Sequence, residues 1–223
     1  DLETLEVLAD QNIKFTILAP HQAKRIRPLR GGRWKEVTAA TLDTKKAYLC
    51  RLPSGKDISL FFYDGPISQD VAFGGLLSDG KLYAQRLSDA FRQDDGFPQL
   101  VNIATDGETY GHHHRFGDMA LAYCIYFLES KNLARITVYG EYLEKFPPKD
   151  EVQIAENTSW SCAHGIERWR GNCGCNTGMN LGWTQEWRRP LREAVDLLDE
   201  RATAIYKSYS SKLLKDPWRA RDD

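Results

Sequence analysis

Two spacings of apolar residues run along the chain, and each predicts an element. Leu2, Leu5 and Leu8 recur at helical spacing over Asp1 to Asp10, Asn12 stops them, and Ile13 to Leu18 reads as a strand ending at Ala19 and Pro20. Ala47 to Leu52, the turn residues Pro53, Ser54 and Gly55, and the run Ile58 to Tyr63 predict a hairpin whose second strand is buried on both faces. Leu76 to Phe91 predicts a helix, closed by Gly96, Phe97 and Pro98. Leu100 to Thr105 reads as a further buried strand and Arg135 to Tyr139 as another. Between them lies a helix over Phe116 to Ser130, with Met119, Tyr123 and Phe127 four apart. Periodicity fades beyond Pro147 and Pro148. It returns at Pro190, read as the first residue of a helix on which Leu191, Val195, Leu198, Ala202, Ile205 and Tyr209 form one stripe, expected to pack on the body.

Three apolar runs end alike, each delivering a polar residue onto a loop: His21, Asp64 and Asp106. Such repeated units predict an α/β fold with a parallel sheet or barrel, in which ligands sit at the carboxyl ends of strands. The change of character near Pro148 divides the chain into a barrel-like region, 1–148, and a Trp- and Cys-rich segment with a helical C-terminal region, 149–223.

Composition narrows the function classes. A formal net charge of -1 gives no reason to expect nucleic acid or an anionic membrane as partner. The local cluster Lys24, Arg25, Arg27, Arg30 and Arg33 is expected to be a solvated loop. No apolar run approaches the roughly 18 residues of a membrane span, so a cytoplasmic protein is the expectation. Residue 1 is Asp within an amphipathic pattern, which suggests an excerpt from a longer protein. Oligomeric state leaves no signature.

Chemistry concentrates in Asp106, Gly107, Glu108, Tyr110, Gly111 and His112 to His114. Glycines let the backbone bend beside a ligand, and neighbouring carboxylates can be held in unlike environments. The same residues also suit a plain polar loop before a helix.

The segment TDGETYGHHHRFGDMALAYCI resembles the region of family-57 glycoside hydrolases that carries their general acid/base. Two further segments agree: DLETLEVLADQNIKFTILAPHQAKRIR resembles the stretch after the family's nucleophile, and TSWSCAHGIERWRGNCGC a C-terminal region of an amylase/mannosidase branch. The resemblance implies the second half of an incomplete (β/α)7-type barrel, followed by the helical C-terminal region. It implies a retaining hydrolase or glucanotransferase acting on α-glucan or related oligosaccharides or polysaccharides, with no cofactor required for catalysis. Asp106 would be the acid/base, and Glu108, Tyr110, His112 and His113 its neighbours. The nucleophile, a Glu on the preceding strand, would lie upstream of Asp1; Asp64 and Glu141 are the substitutes within the chain. Retaining chemistry sets the two carboxyls about 5 to 5.5 Å apart.

The triple histidine keeps a second reading open, a metal-dependent carbohydrate deacetylase in which an Asp and paired histidines hold the ion. Adjacent histidines on a regular strand point to opposite faces, which counts against it. A third reading is a non-catalytic carbohydrate-binding or scaffold fragment.

Cys162, His164, Cys173 and Cys175 supply four soft ligands of the kind zinc takes in closed sites. Three readings stand: a structural zinc, reduced thiols with His164 lining a sugar site, or a disulfide. Cys50 and Cys124 lie in apolar settings and read as inert core thiols. A sugar site would add stacking and hydroxyl-binding groups, for which His21, Gln22, Asp64 and Trp160 are the candidates. Trp183 and Trp187 are assigned to packing.

Overall fold

The computed structural model describes residues 1–93, 96–176, 178, 180 and 182–222. Close contacts divide the chain into two compact units, Asp1–Trp160 and Ser161–Asp223.

The first unit opens with α1 (Leu2–Asp10), whose N-cap Asp1 accepts the Thr4 N–H at 2.8 Å. Leu5 is buried, and Leu2 and Leu8 pack beside it on the core. Asn12 takes a left-handed turn, φ 63°, and directs the chain into β1 (Phe15–Leu18). The other strands are β2 (Ala23–Pro28), β3 (Lys35–Glu36), β4 (Tyr48–Arg51), β5 (Asp57–Phe62) and β6 (Asp150–Ile154). They form a mixed sheet of order β1-β5-β4-β6-β2-β3, with β1-β5 and β4-β6 parallel and the remaining pairs antiparallel. The parallel sheet or barrel expected from the sequence is therefore corrected to a mixed sheet. The Pro53–Gly55 turn joins β4 and β5 as a hairpin, as its residues predict, and so short a turn can only connect antiparallel neighbours.

Ile58 to Phe62 are all buried, which is why β5 reads as an unbroken apolar run. Phe62 packs with Tyr48, Leu60 and Val152 on one side of the sheet, and Phe61 with Tyr142 on the other. Each such ring stabilises the fold by about 1.5 to 3 kcal/mol through removal from water. A third cluster joins α2 (Gly65–Ala72), α3 (Gly80–Ser88) and α4 (Gly117–Ser130). Cys50 and Cys124 are buried in these clusters, and burial pushes both thiols up to about 11, as inert core thiols require.

Several expectations are corrected. Arg30 and Arg33 do lie in an exposed loop, but Lys24, Arg25 and Arg27 belong to strand β2. It alternates, with Ile26 packed on the core, while Arg25 donates to Gln153 Oε1 at 2.7 Å and Arg27 to the buried Glu151 at 2.8 Å. Both guanidiniums stack on Trp34, so partners on β6 and an aromatic face replace water. Leu100 to Thr105 forms no ladder; its polar groups are taken singly by Lys45, Asp64 and Ser68. Arg135 to Val138 is likewise irregular, and Tyr139 instead begins α5 (Tyr139–Lys145). The helix expected from Leu76 starts at Gly80, where Asp79 caps it, and α2 carries no strong periodic signal in its eight residues. On α4 the buried stripe is Gly117, Ala120, Cys124 and Leu128, whereas Met119 and Tyr123 are exposed.

The second unit holds α6 (Glu167–Arg170), α7 (Arg188–Ser210) and α8 (Pro217–Asp222). Pro190 falls in the first turn of α7, where its missing N–H costs nothing. Leu191, Val195, Leu198, Ile205 and Tyr209 are all exposed, as are Trp183 and Trp187, so the packing roles expected of them are not found among the described residues. No helix among the described residues is long and apolar enough to cross a membrane.

Candidate functional site

The carboxyl ends of the parallel neighbours β1 and β5 lie side by side, and the chain leaves them at Ala19–Gln22 and at Tyr63–Gly65. A Cβ added to Gly65 would stand 3.6 Å from the Pro20 ring, which places the two loops against each other. The segment carrying Asn102 joins the same edge, because Asp64 donates its backbone N–H to the Asn102 carbonyl at 2.8 Å.

Asn102 organises this edge. It is buried, and its amide nitrogen donates to the carbonyls of Thr44 at 3.0 Å and Phe62 at 3.3 Å, while its oxygen accepts the Tyr139 hydroxyl at 3.2 Å. Ala104 N–H adds a bond to the Ser68 hydroxyl on α2 at 3.1 Å. Nothing in the sequence singles out Asn102; the one available signal is a lone amide inside an apolar run, where an unpaired polar group would be costly.

Four residues beyond Asn102 the chain presents Asp106 at the head of a single 3-10 turn, Gly107–Thr109. The turn is anchored at its far side. Thr109 is buried, and Tyr110 hydroxyl meets that of the buried Tyr83 at 3.2 Å. Burial, with the Tyr110 contact, raises the Tyr83 hydroxyl's pKa. His112 and His113 both donate backbone N–H to the Glu108 carbonyl, and Gly111 supplies the φ of 126° that this reversal needs. His114 Nε2 lies 2.8 Å from the Ala72 carbonyl at the end of α2. Gly117 opens α4 so close to the turn that a Cβ there would stand 3.2 Å from the Thr109 carbonyl. Between them Phe116 is held at φ 65°, a left-handed conformation unfavourable for a bulky side chain.

Asp106, Glu108, His112, His113 and Arg115 are exposed on this loop, with the two imidazoles 5.2 Å apart. Asp106 differs from its counterparts. Asp1, Asp64 and Asp79 each turn a carboxylate onto the first N–H groups of the helix they precede, whereas Asp106, in the same position, makes no such bond. Its carboxylate is exposed and uncommitted to its own turn.

The other candidates are placed as follows. Asp64 Oδ1 accepts Ile67 N–H at 3.0 Å, so this carboxylate caps α2. Gln22 is buried, accepting Ala19 N–H and donating to Thr158. Exposed His21 reaches the Ser159 carbonyl at 2.8 Å, and exposed Trp160 follows directly. Glu141 is held by Lys145, Thr137 and Arg135, and the Lys145 and Thr137 hydrogen bonds, with the Arg135 charge, keep its carboxyl below the usual range. Asp64 and Glu141 are thus committed elsewhere. A cavity of about 440 Å³ between α3, α4 and α5, lined by Leu100, Val101, Ile136 and Glu141 among others, contains none of the loop carboxylates.

In the second unit Cys162, His164, Cys173 and Cys175 converge, with one ligand atom of each within 4.8 Å of all the others. All three cysteines are free thiols, so the disulfide reading is set aside. His164 turns Nδ1 toward the sulfurs, 3.3 Å from Cys175 and 3.8 Å from Cys162. The Cys175 backbone N–H, with the Cys175 and Cys162 thiols, lowers the pKa of Cys173, and hydrogen bonding to the Cys162 and Cys173 thiols pushes Cys175 up to about 11.

Residues 3–155, which contain the whole sheet and the Asp106 loop, match the glycosyl hydrolase family 57. The chain belongs to that family. Residues 183–223 match a domain of unknown function, DUF3536. The family-57 chain is also similar to the crystal structure of a novel exo-type maltose-forming amylase from Pyrococcus sp. ST04. The identity is 15% and the TM-score 0.69, over 97% of this chain and 39% of that one. At that identity the likeness shows the fold, and this chain spans 39% of the amylase's length. No curated protein matches.

Proposed function

We propose that this family-57 chain contributes the proton-transferring half of a retaining enzyme that hydrolyses or transfers α-glucosyl units. Asp106 is its general acid/base, and the mixed sheet is the second half of an incomplete seven-fold barrel. The observation that carries the reading is the uncapped turn at Gly107–Thr109: alone among these four aspartates, Asp106 leaves its exposed carboxylate out of the cap of its own turn. The family's retaining chemistry needs a second carboxylate about 5 to 5.5 Å away. Asp64 and Glu141 are bound as described, and the resemblance to the family assigns the nucleophile to a Glu on an earlier strand of its barrel.

In this scheme Asp106 protonates the leaving glycosidic oxygen as the nucleophile attacks the anomeric carbon, then takes a proton from the incoming water or sugar hydroxyl. Glu108, Tyr110, His112 and His113 border the same loop, and His21 with Trp160 supplies a hydrogen-bonding and a stacking surface for sugar. The test is Asp106→Asn in the full-length protein. Turnover of α-glucan is expected to fall about 10²- to 10⁴-fold. With an activated aryl α-glucoside, azide is expected to restore turnover and to give a glycosyl azide of the substrate's own anomeric configuration. Unchanged turnover of both substrates in the variant overturns the assignment.

A further inference from the structure

Ser161–Asp223 lacks what normally holds a folded segment together. All three apolar clusters belong to residues at or before Ile154. From Ser161 to Asp222 the described buried residues are Cys162, Gly165, Gly171 and Ser210. Among the described residues between Ser161 and Trp187 the one helix is the four-residue α6, and Trp169, Trp183 and Trp187 face solvent. A short stretch with so little apolar burial ordinarily needs a metal or a disulfide to hold one conformation. The thiols are free, and it is at the middle of this stretch that four soft ligand atoms meet.

We infer that Cys162 Sγ, His164 Nδ1, Cys173 Sγ and Cys175 Sγ form a closed tetrahedral zinc site that holds the 161–187 segment in its fold. Zinc–sulfur bonds of about 2.3 Å and zinc–nitrogen bonds of about 2.0 to 2.1 Å give a tetrahedron with edges of about 3.8 Å between sulfurs and about 3.6 Å from sulfur to nitrogen. The observed edges are 3.5 Å for Cys162 to Cys175, 3.3 Å for His164 to Cys175 and 3.8 Å for Cys162 to His164. The Cys162, His164 and Cys175 atoms therefore already stand within a few tenths of an ångström of ligand separations, and Cys173 Sγ lies within 4.8 Å of each of them.

The surroundings suit a thiolate-rich centre. On binding, the three thiols release their protons to solvent and His164 binds as the neutral imidazole, so Zn²⁺ with three thiolates carries one net negative charge. Arg188 places Nη1 3.6 Å from Cys173 Sγ, at the start of the 23-residue α7, whose N-terminal end adds positive potential. Gln185 Nε2 donates to the Cys175 carbonyl and so holds the backbone of one ligand. Four protein ligands leave no open coordination position, so the site is structural, and the proposal is independent of the role given to Asp106.

The test uses the full-length protein purified under reducing conditions. About one zinc per chain is expected by elemental analysis. Replacement by cobalt is expected to give the sulfur-to-metal charge-transfer and intense visible bands of a tetrahedral thiolate site. Cys173→Ser is expected to weaken zinc at least about 100-fold in competition with a chromophoric chelator, while Cys50→Ser leaves affinity unchanged. Chelation of the unmutated protein is expected to open the 161–187 segment to trypsin at Arg168 and Arg170. Octahedral cobalt spectra, zinc that survives Cys173→Ser and Cys175→Ser undiminished, or no zinc uptake after reduction each overturns the proposal. The cobalt spectrum of the unmutated chain decides it even if both variants fail to fold.

Discussion

Asp1–Trp160 surrounds its sheet with three apolar clusters and caps α1, α2 and α3 with aspartate side chains, whereas the described residues of Ser161–Asp223 bury almost no apolar surface and gather three thiols and an imidazole instead. The contrast separates two ways of offsetting chain entropy. Burial acts in increments distributed over many side chains, so each substitution removes a part. Ligation concentrates the stabilising free energy in four bonds to one ion, so each ligand is close to all-or-none. The candidate catalytic loop belongs to the first kind of order and the Trp-rich segment to the second.

Phe62→Ala is the strongest way to break this contrast. It empties a fully buried position on β5 and is expected to cost about 3 to 5 kcal/mol, read as a lowered midpoint in chemical denaturation. The tetrahedral cobalt spectrum should persist above that midpoint, where the sheet has unfolded. Joint loss of spectrum and sheet at one midpoint would show that the second unit takes its order from the first.

Asp64→Ala is a finer probe inside the first unit. As a helix cap, Asp64 should contribute about 1 kcal/mol, lost on substitution with KM for glycan unchanged. A raised KM at unaltered stability would return Asp64 to the sugar site, where the strand-end pattern first placed it.

The sequence exposes what depends on local rules and hides what depends on distant partners. Leu2, Leu5 and Leu8 announce α1, and the Pro53–Gly55 turn between two apolar runs announces the β4–β5 hairpin, because spacing and turn chemistry act over a few residues. Arg25 and Arg27 look solvated until Glu151, Gln153 and Trp34 are brought to them, two of these from more than a hundred residues away. Leu100 to Thr105 has the composition of a strand, yet finds separate acceptors and donors in place of a neighbouring ladder. The Cys162, His164, Cys173 and Cys175 grouping was visible because its spacing keeps it within one short segment. The Asp106 loop was visible through its residue types, but its distinguishing property, a carboxylate left out of its own cap, belongs to geometry alone.

Asn102 reaches Thr44 and Phe62, partners 58 and 40 residues away, and Ala104 reaches Ser68 across 36. Tethers of that length must pay loop-closure entropy before they return any stabilisation, whereas the β4–β5 hairpin and α2 close locally. The expected order of folding therefore has the β4–β5 hairpin and α2 forming first and the Asp106 turn settling onto them afterwards. Asn102→Ala should then quicken unfolding while leaving the folding rate nearly unchanged, and a slowed folding limb would place the turn in the nucleus instead. On the expected order, the carboxylate assigned the chemistry is among the last groups to reach its place and among the first to leave it.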